Sequence, residues 1–166
     1  MPEVRLLRER LAAARKLGES IRTALPGLAG GPRRRKGEAE TTLEGLQALR
    51  AAAVTLRCDV PFYPVLCFAL DRLEAWAGRV KQLLGMRAPL ADLRALIEES
   101  RELPAAMPEV ETVESLIAKG LAWQSSMRAL VAARAPLKRM RDALHAGLRL
   151  PVELPEVEEL RGIIRR

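Results

Sequence analysis

A repeat of 47 residues constrains the fold of this chain more than any other feature of its sequence. Arg87-Ala88-Pro89-Leu90 returns as Arg134-Ala135-Pro136-Leu137, and Pro108-Glu109-Val110-Glu111 returns as Pro155-Glu156-Val157-Glu158. A fainter copy keeps the same spacing earlier in the chain, with Trp76 lying 47 residues before Trp123. Self-similarity at this period is typical of stacked helical units, none of which can bury its apolar face alone.

The composition favours a helical protein without a membrane span. Ala, Leu, Arg and Glu dominate the 166 residues, and only 3% are aromatic, a bias typical of long helices and coiled coils. No stretch reaches the roughly 18 apolar residues that a membrane span needs. The charged first ten residues do not form a secretory signal. We therefore expect a soluble intracellular chain.

The first 40 residues are predicted to form a helix and a basic loop. Apolar positions at steps of three and four predict a helix over residues 1–27 with a coiled-coil seam. The seam consists of Val4, Leu7, Leu11, Ala14, Gly18, Ile21 and Leu25. Residues 28–40 are rich in Gly and contain Arg33, Arg34, Arg35 and Lys36. This basic run is a candidate for nuclear import, for phosphate contacts with nucleic acid, or for a solvated loop without a dedicated role.

Three helical units are predicted to follow the loop. They span residues 41–86, 87–133 and 134–166, and the last is expected to be truncated. Each unit pairs a short and a long helix as an antiparallel hairpin, and the first short helix is predicted to begin at a capping box, Thr41-x-x-Glu44. Pro61, Pro108 and Pro155 precede the long helices, because proline is tolerated at the first turn of a helix. Acidic residues after the prolines suit the positive end of the helix dipole.

Few residues of the sequence offer chemistry. Trp76 and Trp123 occupy equivalent positions on long helices and are expected to pack between helices, since the chain has too few aromatics for a methyl-lysine cage. Cys58, Cys67 and the single His145 are too few to form a zinc site. We expect no catalytic residue, no metal, no cofactor and no small-molecule substrate.

The aromatic and charged residues suggest more than one surface that could bind a partner. We expect Phe68 in the core, and Phe62 or Tyr63 at a contact with a partner. The net charge of +7 favours contact with nucleic acid or another acidic surface. Most basic residues, however, alternate with Glu along the helices, as they do on a solvated face.

One stretch of the chain resembles a known family. A short leucine-rich helix, the motif Leu103-Pro104-x-x-Met107-Pro108, an acidic long helix and then Trp123 resemble the PLU-type helical region of JARID-type histone lysine demethylases. That region lies between a zinc finger and a later PHD finger. The best match comprises Trp76, Val80, Leu90, Leu93, Arg94, Leu96, Leu103, Pro104, Met107, Pro108 and Trp123. The resemblance implies a nuclear location and chromatin-associated protein partners.

The resemblance does not extend to catalysis. The parent enzymes would use iron and 2-oxoglutarate, and their iron needs two histidines and a carboxylate, whereas this sequence has one histidine. We therefore predict an all-α, elongated array of spectrin-like helical repeats that serves as a non-catalytic scaffold or interaction segment. Two alternatives stay open: a spectrin-like structural coiled-coil protein, and a basic helical module that binds nucleic acid.

Overall fold

The computed structural model describes residues 2–29 and 41–165, and the regular structure of these residues consists of seven α-helices. The helices are α1 (Pro2–Ala24), α2 (Leu43–Leu56), α3 (Tyr63–Gly85), α4 (Leu90–Ser100), α5 (Glu109–Ala132), α6 (Leu137–Arg149) and α7 (Glu156–Arg165). The prediction of an all-α fold is therefore confirmed for the described residues. None of these helices is long and apolar enough to cross a membrane.

The chain forms two compact units. The first comprises Met1–Ala75 and Glu102–Met107, and the second comprises Trp76–Arg101 and Pro108–Arg166. Within the first unit α1 packs against α2. Within the second unit α5 packs against both α4 and α6, and α7 packs against α6.

The short helices begin at positions that share the 47-residue spacing. Their first residues are Leu43, Leu90 and Leu137. Arg87 and Arg134 follow the long helices α3 and α5, and both adopt the left-handed conformation, with φ of 52° and 48°. A residue in this conformation ends a helix because the chain then leaves the helical path. The backbone therefore turns in the same way before α4 and before α6.

The start of α2 differs by one residue from the predicted capping box. Thr42 is the N-cap, and its side-chain oxygen accepts a hydrogen bond from the backbone N–H of Gly45 over 3.1 Å. Thr41 instead donates its hydroxyl to the Ala24 carbonyl of α1 over 3.0 Å. The predicted cap at Thr41 is wrong because two adjacent threonines can each supply the oxygen, and the sequence alone does not choose between them.

The seam of α1 is buried over half of its length. Ala14, Ile21 and Leu25 are at most 2% exposed, whereas Leu7 and Leu11 on the same stripe are 64% and 53% exposed. The periodicity identifies the correct face of the helix. It does not show that only the second half of this face has a partner within the described residues.

Candidate functional site

Trp76 and Trp123 occupy matching places in two pairs of helices. Trp76 of α3 donates its indole N–H to the Leu96 carbonyl of α4 over 3.0 Å. Trp123 of α5 donates its indole N–H to the Ala143 carbonyl of α6 over 2.7 Å. Both donors and both acceptors are 47 residues apart, and the two residues are 0% and 8% exposed. Each indole thus joins a long helix to the short helix that follows it.

Backbone hydrogen bonds of the connectors recur at the same spacing. The Ala106 N–H donates to the Thr41 carbonyl over 3.0 Å, and the Glu153 N–H donates to the Ala88 carbonyl over 3.0 Å. In both cases the connector before a long helix lies beside the chain that enters a short helix. The contact is made once in each compact unit.

A glycine brings α6 unusually close to the Trp123 ring. A Cβ atom built on Gly147 would lie 2.5 Å from Cζ2 and 2.6 Å from Cε2 of Trp123. Those distances are far below van der Waals contact, so α6 can approach the indole only without a side chain here. The residue 47 positions earlier is Ser100. The periodicity of apolar residues does not single out Gly147, although a glycine inside a predicted helix is a recognised sign of close packing.

The three prolines singled out by the sequence are exposed. Pro61 and Pro108 precede the long helices α3 and α5, and Pro155 precedes α7, which has 10 residues. Pro108 is the N-cap of α5, and Pro155 immediately precedes α7. Pro61 lies two residues before α3 and packs over α1, because a Cβ atom on Gly18 would lie 2.8 Å from the Pro61 Cβ. The prolines therefore lie at helix starts.

Two glutamates at the starts of α5 and α7 also occupy equivalent positions. Glu109 of α5 and Glu156 of α7 each place one carboxylate oxygen, Oε2, in a buried position without a hydrogen-bond partner among the described residues. The Glu156 Oε1 accepts a hydrogen bond from the Gln124 side chain over 2.7 Å. Both carboxylates lie at the N-terminal end of a helix, where the helix dipole favours a negative charge.

The aromatic side chains near the start of α3 lie differently from the expectation. Phe68 is 56% exposed, so its predicted core position is wrong. Phe62 and Tyr63 are half-buried. A side-chain hydrogen bond with Cys67, followed by the negative charge of the deprotonated Cys67 sulfur, raises the pKa of Tyr63. The short aromatic cluster has too few positions for periodicity to distinguish the inner from the outer face.

The remaining chemically active groups are dispersed. Cys58 is exposed, Cys67 is half-buried and His145 is exposed on α6. Within the described residues, no three His, Cys, Asp or Glu side chains meet in a group that could hold a metal ion. Arg33, Arg34, Arg35 and Lys36, the predicted basic contact, lie outside the described residues.

The concave surfaces of the first unit include two open grooves between α1 and α2. One groove has a volume of about 640 Å³ and is lined by residues that include Lys16, Glu19, Thr23 and Thr42. A second, of about 410 Å³, is lined by residues that include Ala13, Leu17 and Leu56. In the first groove the Ser20 and Thr23 hydroxyls donate to the backbone carbonyls of Lys16 and Glu19 over 3.1 Å and 2.8 Å, so they bond to helix backbone and not to a side chain that could activate them.

These observations define an all-helical protein in which buried aromatic side chains join successive helices. The family model described as PLU-1-like protein matches residues 1–166. The chain belongs to the PLU-1-like protein family, and the resemblance to the PLU-type helical region of JARID-type demethylases is thereby confirmed. Neither a curated protein nor a solved structure matches the chain.

Proposed function

We propose that this chain is a non-catalytic helical scaffold that positions or contacts chromatin-associated proteins in the nucleus. In a JARID-type demethylase, or in a relative that keeps this region, such a scaffold sets the distance between modules that recognise and modify histones. The match to the PLU-1-like family over residues 1–166 supports the chromatin role. It also favours that role over the alternative of a spectrin-like structural protein.

The recurring indole hydrogen bonds carry the proposal of a repeat array. The bond from Trp76 to Leu96 and the bond from Trp123 to Ala143 join helices in the same way, 47 residues apart. A scaffold built from units of this kind grows by adding units, because each unit buries its apolar face against its neighbours. We propose units at residues 41–86, 87–133 and 134–166, arranged as an elongated, spectrin-like array.

The content of chemically active residues supports a role without catalysis. The sequence contains one histidine and two cysteines, and the described part of the chain brings none of them into a metal-binding group. Packing accounts for the two tryptophans, whose rings contact helix backbone rather than an open cavity. We therefore assign the function to the surfaces of the helices.

Small-angle scattering of the purified chain tests the elongated array. A compact protein of 166 residues has a radius of gyration of about 15 Å. The proposal predicts a clearly larger radius and an anisotropic distance distribution. A radius close to the compact value would contradict the array, although the all-α fold would still hold.

A fluorescent fusion of the chain tests the nuclear role. The proposal predicts accumulation in the nucleus and slow exchange on chromatin after photobleaching. A matched fusion, in which Arg33, Arg34, Arg35 and Lys36 are all replaced by Gln, is tested with and without an unrelated import signal. If the basic run serves import only, the added signal restores both nuclear accumulation and slow exchange on chromatin. Free diffusion of the imported fusion, as fast as the fluorescent protein alone, would contradict the chromatin role.

An assay with methylated histone H3 peptides, iron(II) and 2-oxoglutarate tests the absence of catalysis. The purified chain is expected to leave the peptide mass unchanged, with an intact JARID-type demethylase as the positive control. Loss of one methyl mass during incubation with the chain alone would overturn the assignment as a scaffold.

A further inference from the structure

The outer face of α6 carries a row of basic side chains. The row, called here the basic stripe, consists of Lys138, Arg141, His145 and Arg149. Their spacing of three, four and four residues places them on one side of the helix. All four are exposed, while Met140 and Gly147 on the opposite side are buried. At about 1.5 Å per residue the stripe extends for about 16 Å along the helix.

The cations of the basic stripe have no ion-pair partner among the described residues. Exposed arginines elsewhere on the surface do have such partners: Arg5 pairs with Glu9, and Arg101 pairs with Glu98. Asp142, the acidic residue of α6, forms no ion pair with the stripe. The arginine and lysine charges therefore face solvent.

The equivalent helices show that packing does not require these cations. The positions 47 residues earlier, on and just after α4, hold Ala91, Arg94, Glu98 and Glu102. The positions 94 residues earlier, on α2, hold Glu44, Gln47, Ala51 and Thr55. All three short helices form, and each begins at the same point of the 47-residue spacing. The positive charge is thus a property of α6 and not of the scaffold.

We propose that the basic stripe binds the phosphate backbone of duplex nucleic acid. Lys and Arg side chains along one helix face are the groups that contact phosphates in protein–DNA interfaces, and the major groove of DNA is about 12 Å wide and admits a helix. The stripe has no aromatic side chain, so it lacks the stacking platform of a single-strand binding surface. It also lacks the aromatic anchors that dominate protein–protein interfaces, which disfavours an acidic protein as its partner.

Fluorescence anisotropy with a short random-sequence DNA duplex, measured over a range of salt concentrations, tests the proposal. The full chain is compared with a stripe variant that combines Lys138→Gln, Arg141→Gln and Arg149→Gln. Each phosphate contact contributes about 0.9 to the slope of log affinity against log salt. The stripe variant is therefore expected to lose about two to three units of slope. Thermal unfolding followed by circular dichroism shows whether the variant stays folded, as the exposure of the three residues predicts.

A control variant removes the same charge from other faces of the second unit. It combines Lys81→Gln, Arg94→Gln and Lys119→Gln, three exposed positions without ion pairs. The proposal predicts that this variant keeps the slope of the unaltered chain. Equal losses in the stripe and control variants would overturn it, because net charge alone would then explain binding.

Three further outcomes would also overturn the proposal. The first is no binding of duplex DNA by the unaltered chain at low salt. The second is an unchanged slope in the stripe variant together with loss of binding when Arg33, Arg34, Arg35 and Lys36 become Gln, which would assign the contact to the basic loop. The third is binding of poly-glutamate, but not of the duplex, through the stripe, which would identify an acidic protein as the partner.

Discussion

The α3–α4 pair and the α5–α6 pair repeat one internal contact but present different outer faces. In both pairs a buried tryptophan donates its indole N–H to a carbonyl of the following short helix. Outside, α4 carries Glu98 where α6 carries His145, and Ala91 where α6 carries Lys138. The comparison teaches that the repeat conserves what lies between helices and leaves the solvent face free to acquire a separate role.

Truncation of the tryptophans, which make the contact shared by both pairs, is expected to reduce the stability of the chain most. Trp76→Ala and Trp123→Ala should each reduce the free energy of unfolding by roughly 3–5 kcal/mol, because each removes a buried ring and leaves a cavity. Trp76 should give the larger loss, since it is 0% exposed and Trp123 is 8% exposed. Chemical denaturation followed by circular dichroism measures both values. A loss under about 1 kcal/mol at either site would show that the ring is not packed between helices.

Gly147→Ala is expected to show a difference in packing between the α5–α6 pair and the α3–α4 pair. The added Cβ atom would lie 2.5 Å from Trp123 Cζ2, and overpacking of this kind costs about 1–3 kcal/mol. Ser100→Ala at the equivalent place in the other pair adds no atom and removes only the hydrogen bond from the Ser100 hydroxyl to the Ile97 carbonyl, so it should cost about 0.5–1.5 kcal/mol without any overpacking. Gly78→Ala is the control for helix propensity, because nothing lies within 4 Å of a Cβ atom there, and it should stabilise the chain by about 0.5–1 kcal/mol. Equal effects of Gly147→Ala and Gly78→Ala would mean that α6 does not approach the ring closely.

The smallest expected effect concerns Tyr63, which lies at the start of the long helix α3. The Cys67 side chain raises the pKa of Tyr63 above its ordinary value. Because the folded chain holds this proton more tightly than the unfolded chain, the stabilisation is present below the ordinary tyrosine pKa and is lost as the pH rises through the folded-state pKa. The sequence contains one tyrosine, so absorbance of the phenolate measures Tyr63 alone.

The matched variant for this titration is Cys67→Ala. It removes the hydrogen bond and the negative charge of the thiolate, and the pKa of Tyr63 should then fall towards its ordinary value. An unchanged titration in Cys67→Ala, or a Tyr63 pKa at or below the ordinary value in the unaltered chain, would contradict the contact between the two side chains.

The 47-residue spacing made much of the helical framework predictable. The short helices α4 and α6, the helices that begin after Pro108 and Pro155, and the burial of Trp76 and Trp123 follow the pattern of apolar residues and prolines. Such a pattern indicates which side of a helix is apolar, and its recurrence 47 residues later supports the same assignment for the second helix. The identification of the family was also accessible, because the motif from Leu103 to Pro108 is a short, distinctive string.

Other features depend on distances that a pattern does not contain. The exposure of Leu7 and Leu11 depends on where the partner of α1 ends, and the exposure of Phe68 depends on the rotation of α3. The contact of Gly147 with Trp123 requires knowledge of how closely two helices approach. The basic stripe of α6 is not evident from the sequence, because interleaved charges resemble an ordinary solvated face. It is recognised only when its residues are placed on one side of the helix, where they lack ion-pair partners among the described residues.

Hydrogen exchange of the two indole N–H groups, followed by nuclear magnetic resonance, tests the central claim most directly. The sequence contains only two tryptophans, so two indole signals report on the two hydrogen bonds. The account predicts that both groups exchange slowly, through unfolding of the helices that hold them. Exchange of either indole at the rate of a free tryptophan would contradict the claim that the same buried contact joins both helix pairs.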